Sequence, residues 1–267
     1  MRKFYFYFFF LLFTSIFLLE CSTVPVTGRK QFNLIPSSQM QSLSYQQYGD
    51  FLKTAKLSTD QNNIALVRRV GTNIQSAVQR YFSQNNMSSE LNGYSWEFNL
   101  VEDPQVNAWC MPGGKVVVYT GILPLTKNET GLAVVLGHEI AHAVAKHGNE
   151  RMSQSLITEL GGMALQKALE TKPAATQRIF MAAFGIGTQV GILLPYSRLQ
   201  ESEADHLGLI FMAMAGYDPH EAVPFWQRMA AMSGGKLPEF LSTHPSDQTR
   251  INDIQKEIPE AMRYYKK

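Results

Sequence analysis

Cysteine is nearly absent from this chain: two in 267 residues, Cys21 and Cys110. A disulfide framework is thereby excluded, and stability must come from a packed core, with or without a metal. Charge of one sign is lacking too. Twenty-four Lys and Arg stand against 22 Asp and Glu, a net charge of +2, which gives no electrostatic case for a nucleic-acid partner. There is no internal repeat and no low-complexity tract, so solenoid and disordered classes drop out. Beyond residue 19 no apolar run approaches the roughly 20 residues that a membrane-spanning helix needs. What remains is an ordinary globular composition, 45% hydrophobic and 17% charged, enough for a self-supporting core.

The first residues read as a leader. Met1-Arg2-Lys3 is basic, Phe4 to Leu19 is apolar, and Leu18-Leu19-Glu20-Cys21 resembles a lipoprotein processing site. The expectation is a signal peptide over residues 1–20, lipidation of Cys21, a polar tether over 21–37 and one domain over 38–267. An uncleaved, slightly short membrane anchor is the alternative. Either implies the periplasmic face of a bacterial cell envelope. Ser22, which is not acidic, favours the outer membrane over the inner.

Periodicity organises the rest. Met40, Leu43, Tyr48 and Leu52 mark one helix, and Ile64, Val67, Ile74, Val78 and Tyr81 a second, starting near Asp60. Tyr94 to Val101 alternates as a strand does, Asn107 to Met111 suits another, and Lys115 to Thr120 is β-branched. Pro112-Gly113-Gly114 is a turn between the last two. A small sheet, partly hairpin, thus precedes a helix expected from about Asn128 to Gly148, capped by Asn128 or Thr130. Helices are expected from Arg151 to about Glu170 and from Ser197 to Gly216, with a short one at the C-terminus. Lys172 to Pro195 reads as helix plus a gate over the cleft. The fold class is α+β and mostly helical, with the small sheet beside the central helix.

That helix carries His138-Glu139-Ile140-Ala141-His142. Two imidazoles four residues apart project from one face and can grip one Zn²⁺ at about 2.0–2.1 Å each. Glu139 is placed to take a proton from water activated there, which is the logic of the HExxH motif. A third ligand and an open fourth position are needed. In Arg198-Leu199-Gln200-Glu201-Ser202-Glu203-Ala204-Asp205, Glu201 is the candidate ligand. Asp205, one turn on, is placed to accept from the other nitrogen of a ligand His. Glu203 faces elsewhere, and His147, His206 and His220 read as structural.

These stretches, with Asn107 to Gly114, Ser242-Thr243-His244-Pro245, Arg250-Ile251 and Val26-Thr27-Gly28-Arg29-Lys30-Gln31, resemble the HExxH…ExxxD gluzincin metallopeptidases that include the CAAX prenyl proteases and HtpX. With only the N-terminal run apolar enough for a membrane, the chain looks like their soluble, lipid-tethered branch. The resemblance implies one zinc ion on His138, His142 and Glu201, with Glu139 as general base. It implies that His244 stabilises the oxyanion or occupies the fourth position and holds the enzyme off. Arg250 would pair with Asp205 or Glu201. Val116, Val117, Val118 and Tyr119 would pair with an extended substrate. The expected function is endoproteolysis of unfolded or misassembled envelope proteins; the rival is a chaperone or assembly factor that binds such clients with little cleavage.

Overall fold

The computed structural model describes residues 21–186, 197–232 and 238–266. Its elements in chain order are β1 (Cys21–Thr23), β2 (Lys30–Phe32), α1 (Ser37–Thr54), α2 (Gln61–Gln84), β3 (Glu97–Val101), β4 (Ala108–Met111) and β5 (Lys115–Tyr119). There follow α3 (Leu123–Thr126), α4 (Glu129–Val144), α5 (His147–Leu160), α6 (Leu165–Thr171) and α7 (Pro173–Ala183). The chain ends with α8 (Arg198–Met214), α9 (Ala222–Ala231), α10 (Glu239–Thr243) and α11 (Gln248–Ala261). It is an α+β fold, mostly helical, with a small mixed sheet.

Apolar all round, α4 is buried along its length, every residue from Gly131 to Val144 included. Such a helix belongs at the centre of a domain. Asn128 caps it, accepting from the Gly131 N–H. The sheet, in order β3-β5-β4, flanks it. β3 and β5 are parallel, and β4 and β5 form a hairpin. The hairpin turn needs Gly113 and Gly114, both at φ 82°, where a side chain is strained.

The decisive packing is between α4 and α8. A Cβ on Gly137 would come within 2.8 Å of the Gly208 carbonyl oxygen, and one on Gly208 within 2.9 Å of the His138 backbone nitrogen. The two backbones touch because neither residue has a side chain. This contact lies one residue before His138 and sets the distance between the HExxH helix and the helix bearing Glu201.

Several expectations change. The central helix stops at Val144 rather than Gly148, because Lys146 takes left-handed backbone angles, φ 61° and ψ 29°. No glycine or proline announces that break. The helix expected from Arg151 to Glu170 is two, divided where Gly161 and Gly162 adopt positive φ. Residues 21–37 are not a free tether. Val24, Gln31 and Ile35 are buried, and Arg29 is tied by ion pairs to Glu150 and Glu203, so the packed unit begins before residue 38. The expected leader over residues 1–20, and residues 187–196 of the expected gate, lie outside the described residues. None of the described helices is long and apolar enough to cross a membrane.

Gly208→Ala is expected to force α4 and α8 apart and to lower stability by about 1–3 kcal/mol, read as a lower urea midpoint with an unchanged slope. An unchanged midpoint would show that the crossing is not tight.

Candidate metal centre

His138 and His142 leave α4 one turn apart, and Glu201 reaches them from the first turn of α8. That helix starts with a capping box, in which Ser197 accepts from the Gln200 N–H and Gln200 reaches back to Ser197. The cap fixes the entry of the chain just before Glu201. His244 arrives from the end of α10. All four side chains are buried, and their donor atoms lie within 4.8 Å of one another.

His138 Nε2 lies 3.1 Å from His142 Nε2 and 3.1 Å from His244 Nδ1. Glu201 Oε1 is 3.2 Å from His142 Nε2 and 2.9 Å from His244 Nδ1. A tetrahedral zinc site with bonds of 2.0–2.1 Å has ligand–ligand edges of about 3.3 Å. Four of the contacts among these atoms, 2.9–3.2 Å long, stand near that length, and His138 Nε2 lies 3.6 Å from the nearer Glu201 oxygen, Oε2. The residues present therefore fit a divalent metal, with His244 at the fourth vertex.

Arg250 holds the back of the site. Its Nη1 lies 2.6 Å from Glu201 Oε2, and Nε and Nη2 donate to the two Asp205 oxygens at 2.8 Å each. Glu201 turns Oε1 to His142 and His244, while Oε2 lies between Arg250 and His138 Nε2, 3.6 Å from that nitrogen, to which Arg250 Nη2 also comes within 3.4 Å. Asp205 Oδ1 lies 3.0 Å from His138 Nδ1, the nitrogen facing away from the cluster. The guanidinium sits 3.6 Å above the Trp226 ring, whose edge packs beside His138. Burial alone would raise both carboxyls, but Arg250 and His138 hold Asp205 below its ordinary value, and His244 and Arg250 hold Glu201 well below.

Glu139 is buried, with Oε1 3.4 Å from His244 Nε2. Burial pushes its carboxyl up to about 7, against the pull of His244. A carboxylate matched to neutral pH is what proton abstraction requires.

The structure therefore brings together His138, Glu139, His142, Glu201, Asp205, His244 and Arg250. It does not bring in Val116 to Tyr119 as expected. Those residues form β5, the middle strand, paired to β3 on one side and β4 on the other, so no edge is left to add a peptide. On the hairpin side the outer strand is β4, whose four residues are all buried. The sequence reading also missed Trp226, which no motif marks, and a chain of polar contacts running from His142 through His147 to Glu203. His206 and His220 do not reach the cluster; they face Glu257 and Asp218.

Fold and site together define a helical α+β protein built around an HExxH metal centre. Residues 69–258 match Peptidase family M48, and the chain belongs to that family. It is 35% identical over 247 residues to the "Mitochondrial metalloendopeptidase OMA1" of Schizosaccharomyces pombe, covering 89% of this chain and 66% of that protein. The "Metalloendopeptidase OMA1, mitochondrial" of Homo sapiens is 29% identical, covering 95% of this chain and 49% of its own length. The "Beta-barrel assembly-enhancing protease" of Yersinia pestis is 32% identical over 60% of this chain and 34% of its own. The chain spans two thirds or less of the length of these relatives. They correct one expectation. Relatives at 35% and 38% identity, from two yeasts, are named as mitochondrial, and the bacterial relatives match over a smaller share of the chain. The location deduced from the leader and Cys21, a lipid-anchored bacterial envelope protein, does not stand.

Arg250→Met leaves two buried carboxylates facing each other and is expected to cost about 3–5 kcal/mol at neutral pH, measured by urea unfolding in chelator. Both carboxyls have folded-state values below their unfolded ones. The stability they contribute is present above the ordinary carboxylate range and lost as pH falls through the lowered values. The difference between wild type and variant should therefore shrink below about pH 4; a difference constant from pH 7 to 3 would remove Arg250 from this role.

Proposed function

We propose that this chain is a zinc-dependent endopeptidase that cleaves extended, unfolded segments of other proteins. The observation that carries the reading is the buried cluster of His138, His142, Glu201 and His244 donor atoms, all within 4.8 Å of one another, with Glu139 alongside. Three imidazoles and one carboxylate suit zinc over hard cations, which prefer all-oxygen octahedra. A zinc ion in such a site acidifies water and polarises a carbonyl.

The residues of the chain supply the rest. Glu139 accepts the proton of the attacking water and returns it to the leaving amine. Arg250 and Asp205 fix the orientation of Glu201 and His138. The substrate backbone lies along β4. There Asn107 and Tyr119 exchange a backbone bond, the Tyr119 N–H donating to Asn107 O. In the alternation of an antiparallel pair, Ala108 and Cys110 then turn their backbone groups away from β5. One of these groups, the Ala108 N–H, is taken by Asn107 Oδ1; the Cys110 groups and the Ala108 carbonyl face the outer side of β4. An extended peptide adds there as a further strand once the groups that bury β4 move aside.

Two features support unfolded or misassembled proteins as clients. Strand addition reads main chain, which only an extended segment offers. The centre is also too deep for a folded surface, with His138, His142 and His244 each 2% exposed. His244 at the fourth vertex plugs the position that water needs, so basal activity is low until that side chain moves.

Glu139→Gln should retain zinc and fold yet lose cleavage of an unfolded substrate such as casein by about 10²–10⁴-fold, and chelator should abolish wild-type cleavage. Undiminished client handling by the variant in cells would favour the binding-protein reading. His244→Ala should raise basal cleavage; a fall instead would assign the imidazole to the developing oxyanion.

A further inference from the structure

The metal cluster uses one nitrogen of His142. The other, Nδ1, lies 2.9 Å from Nδ1 of His147, and His147 Nε2 lies 3.2 Å from Glu203 Oε2. Glu203 is held in turn by the N-terminal segment. Arg29 Nε donates to its Oε2 at 2.6 Å, and the Thr27 hydroxyl donates to its Oε1. The Arg29 fork closes on Glu150 at 3.1 and 2.9 Å, and Glu150 also accepts from Gln200 at 2.9 Å. Gln200 belongs to the cap immediately before Glu201. One segment, the connection between β1 and β2, therefore reaches the surroundings of two candidate metal ligands.

The chemistry of the two ends fixes the protons between them. With its Nε2 lone pair in the cluster, His142 carries its proton on Nδ1. That N–H donates to His147 Nδ1, so His147 carries its own proton on Nε2 and donates it to Glu203. Glu203 must be an ionised acceptor, and an Arg29 nitrogen beside it keeps it so. With both rings neutral, this is the tautomer pair that satisfies both contacts and still turns a lone pair of His142 to a metal. The left-handed turn at Lys146 makes it possible, since a continuous helix would carry His147 away from His142.

We propose that Glu203 and His147 are positioning residues that hold His142 in its metal-ligating tautomer, and that the β1–β2 segment, through Arg29 and Thr27, sets how tightly the centre keeps its ion. The inference rests on the metal reading of the cluster. Partners of this kind, behind a ligating His, typically change metal affinity by about 10–100-fold. His147→Gln preserves the relay, because its carbonyl can accept from His142 and its amide can donate to Glu203. His147→Phe breaks the relay with a ring still in place.

The test is zinc affinity of the full chain by competition with a chromophoric chelator, with the visible spectrum of the cobalt-substituted protein as a second readout. His147→Phe and Arg29→Leu should each weaken zinc by about 10-fold or more and alter the cobalt spectrum, while His147→Gln stays within about 3-fold of wild type. Circular dichroism of the metal-free variants confirms that folded protein is compared. Wild-type affinity in both His147→Phe and Arg29→Leu would overturn the inference and leave the metal reading intact. Should His147→Phe not fold, Arg29→Leu decides. Equal weakening by His147→Gln and His147→Phe would replace the relay by packing and overturn it as well. A wild-type chain that takes up no zinc would overturn the metal reading itself.

Discussion

The backbone contact between Gly137 and Gly208 is the constraint on which the rest of the molecule depends. A zinc ion tolerates little error in ligand placement, since its bonds are about 2 Å long. His138 and His142 share a helix and are set by its pitch alone. Glu201 comes from another helix, and only interhelical distance decides whether it can join them. Two glycines remove the side chains that would hold the axes apart, and the helices meet backbone to backbone. The cluster distances of 2.9–3.2 Å between Glu201, His142 and His244 follow from that approach.

Close packing carries an electrostatic consequence. Glu139, Glu150, Glu201, Glu203 and Asp205 are all buried within this region, and burial opposes ionisation in each. Arg250 offsets Glu201 and Asp205; Arg29 offsets Glu150 and Glu203. Each arginine bridges two carboxylates, a role suited to a planar fork and not to a lysine. Glu139 forms no ion pair with an arginine among the described residues, feels Arg250 only from a distance, and alone among the five is raised, toward neutrality. A site that must keep four carboxylates charged and tune a fifth is thus organised by which of them an arginine touches.

How much of this could be read in the sequence depended on the range of the interaction. The pitch of a helix is local, so two His four residues apart announced their convergence. The strand–turn–strand of 108–119 was equally legible from its alternation and its Gly-Gly turn. Glu201 could be nominated because its spacing to Asp205 repeats the helical period. The order of strands in the sheet is not local, and it placed β5 in the middle, which moved the outer edge from Val116–Tyr119 to β4. The break at Lys146 carries no glycine or proline, so His147 looked like one more residue on a long helix. Arg29 lies 174 residues from Glu203, and nothing in the spacing of either predicts the pair. Trp226 was invisible for the same reason.

The start of β4 and His244 are joined through one short helix. Phe240, on α10, donates its N–H to Val106 O at the entry to β4 and accepts at its carbonyl the N–H of His244. Its ring is fully buried, stacks on Trp226 and lies tilted against the His244 imidazole. α10 has only five residues, too short to hold its position without such contacts. α4 and α8 are long and locked at their glycines. The start of β4 and His244 are thus held by the same five-residue element, while His138, His142 and Glu201 stand on α4 and α8, whose crossing places them.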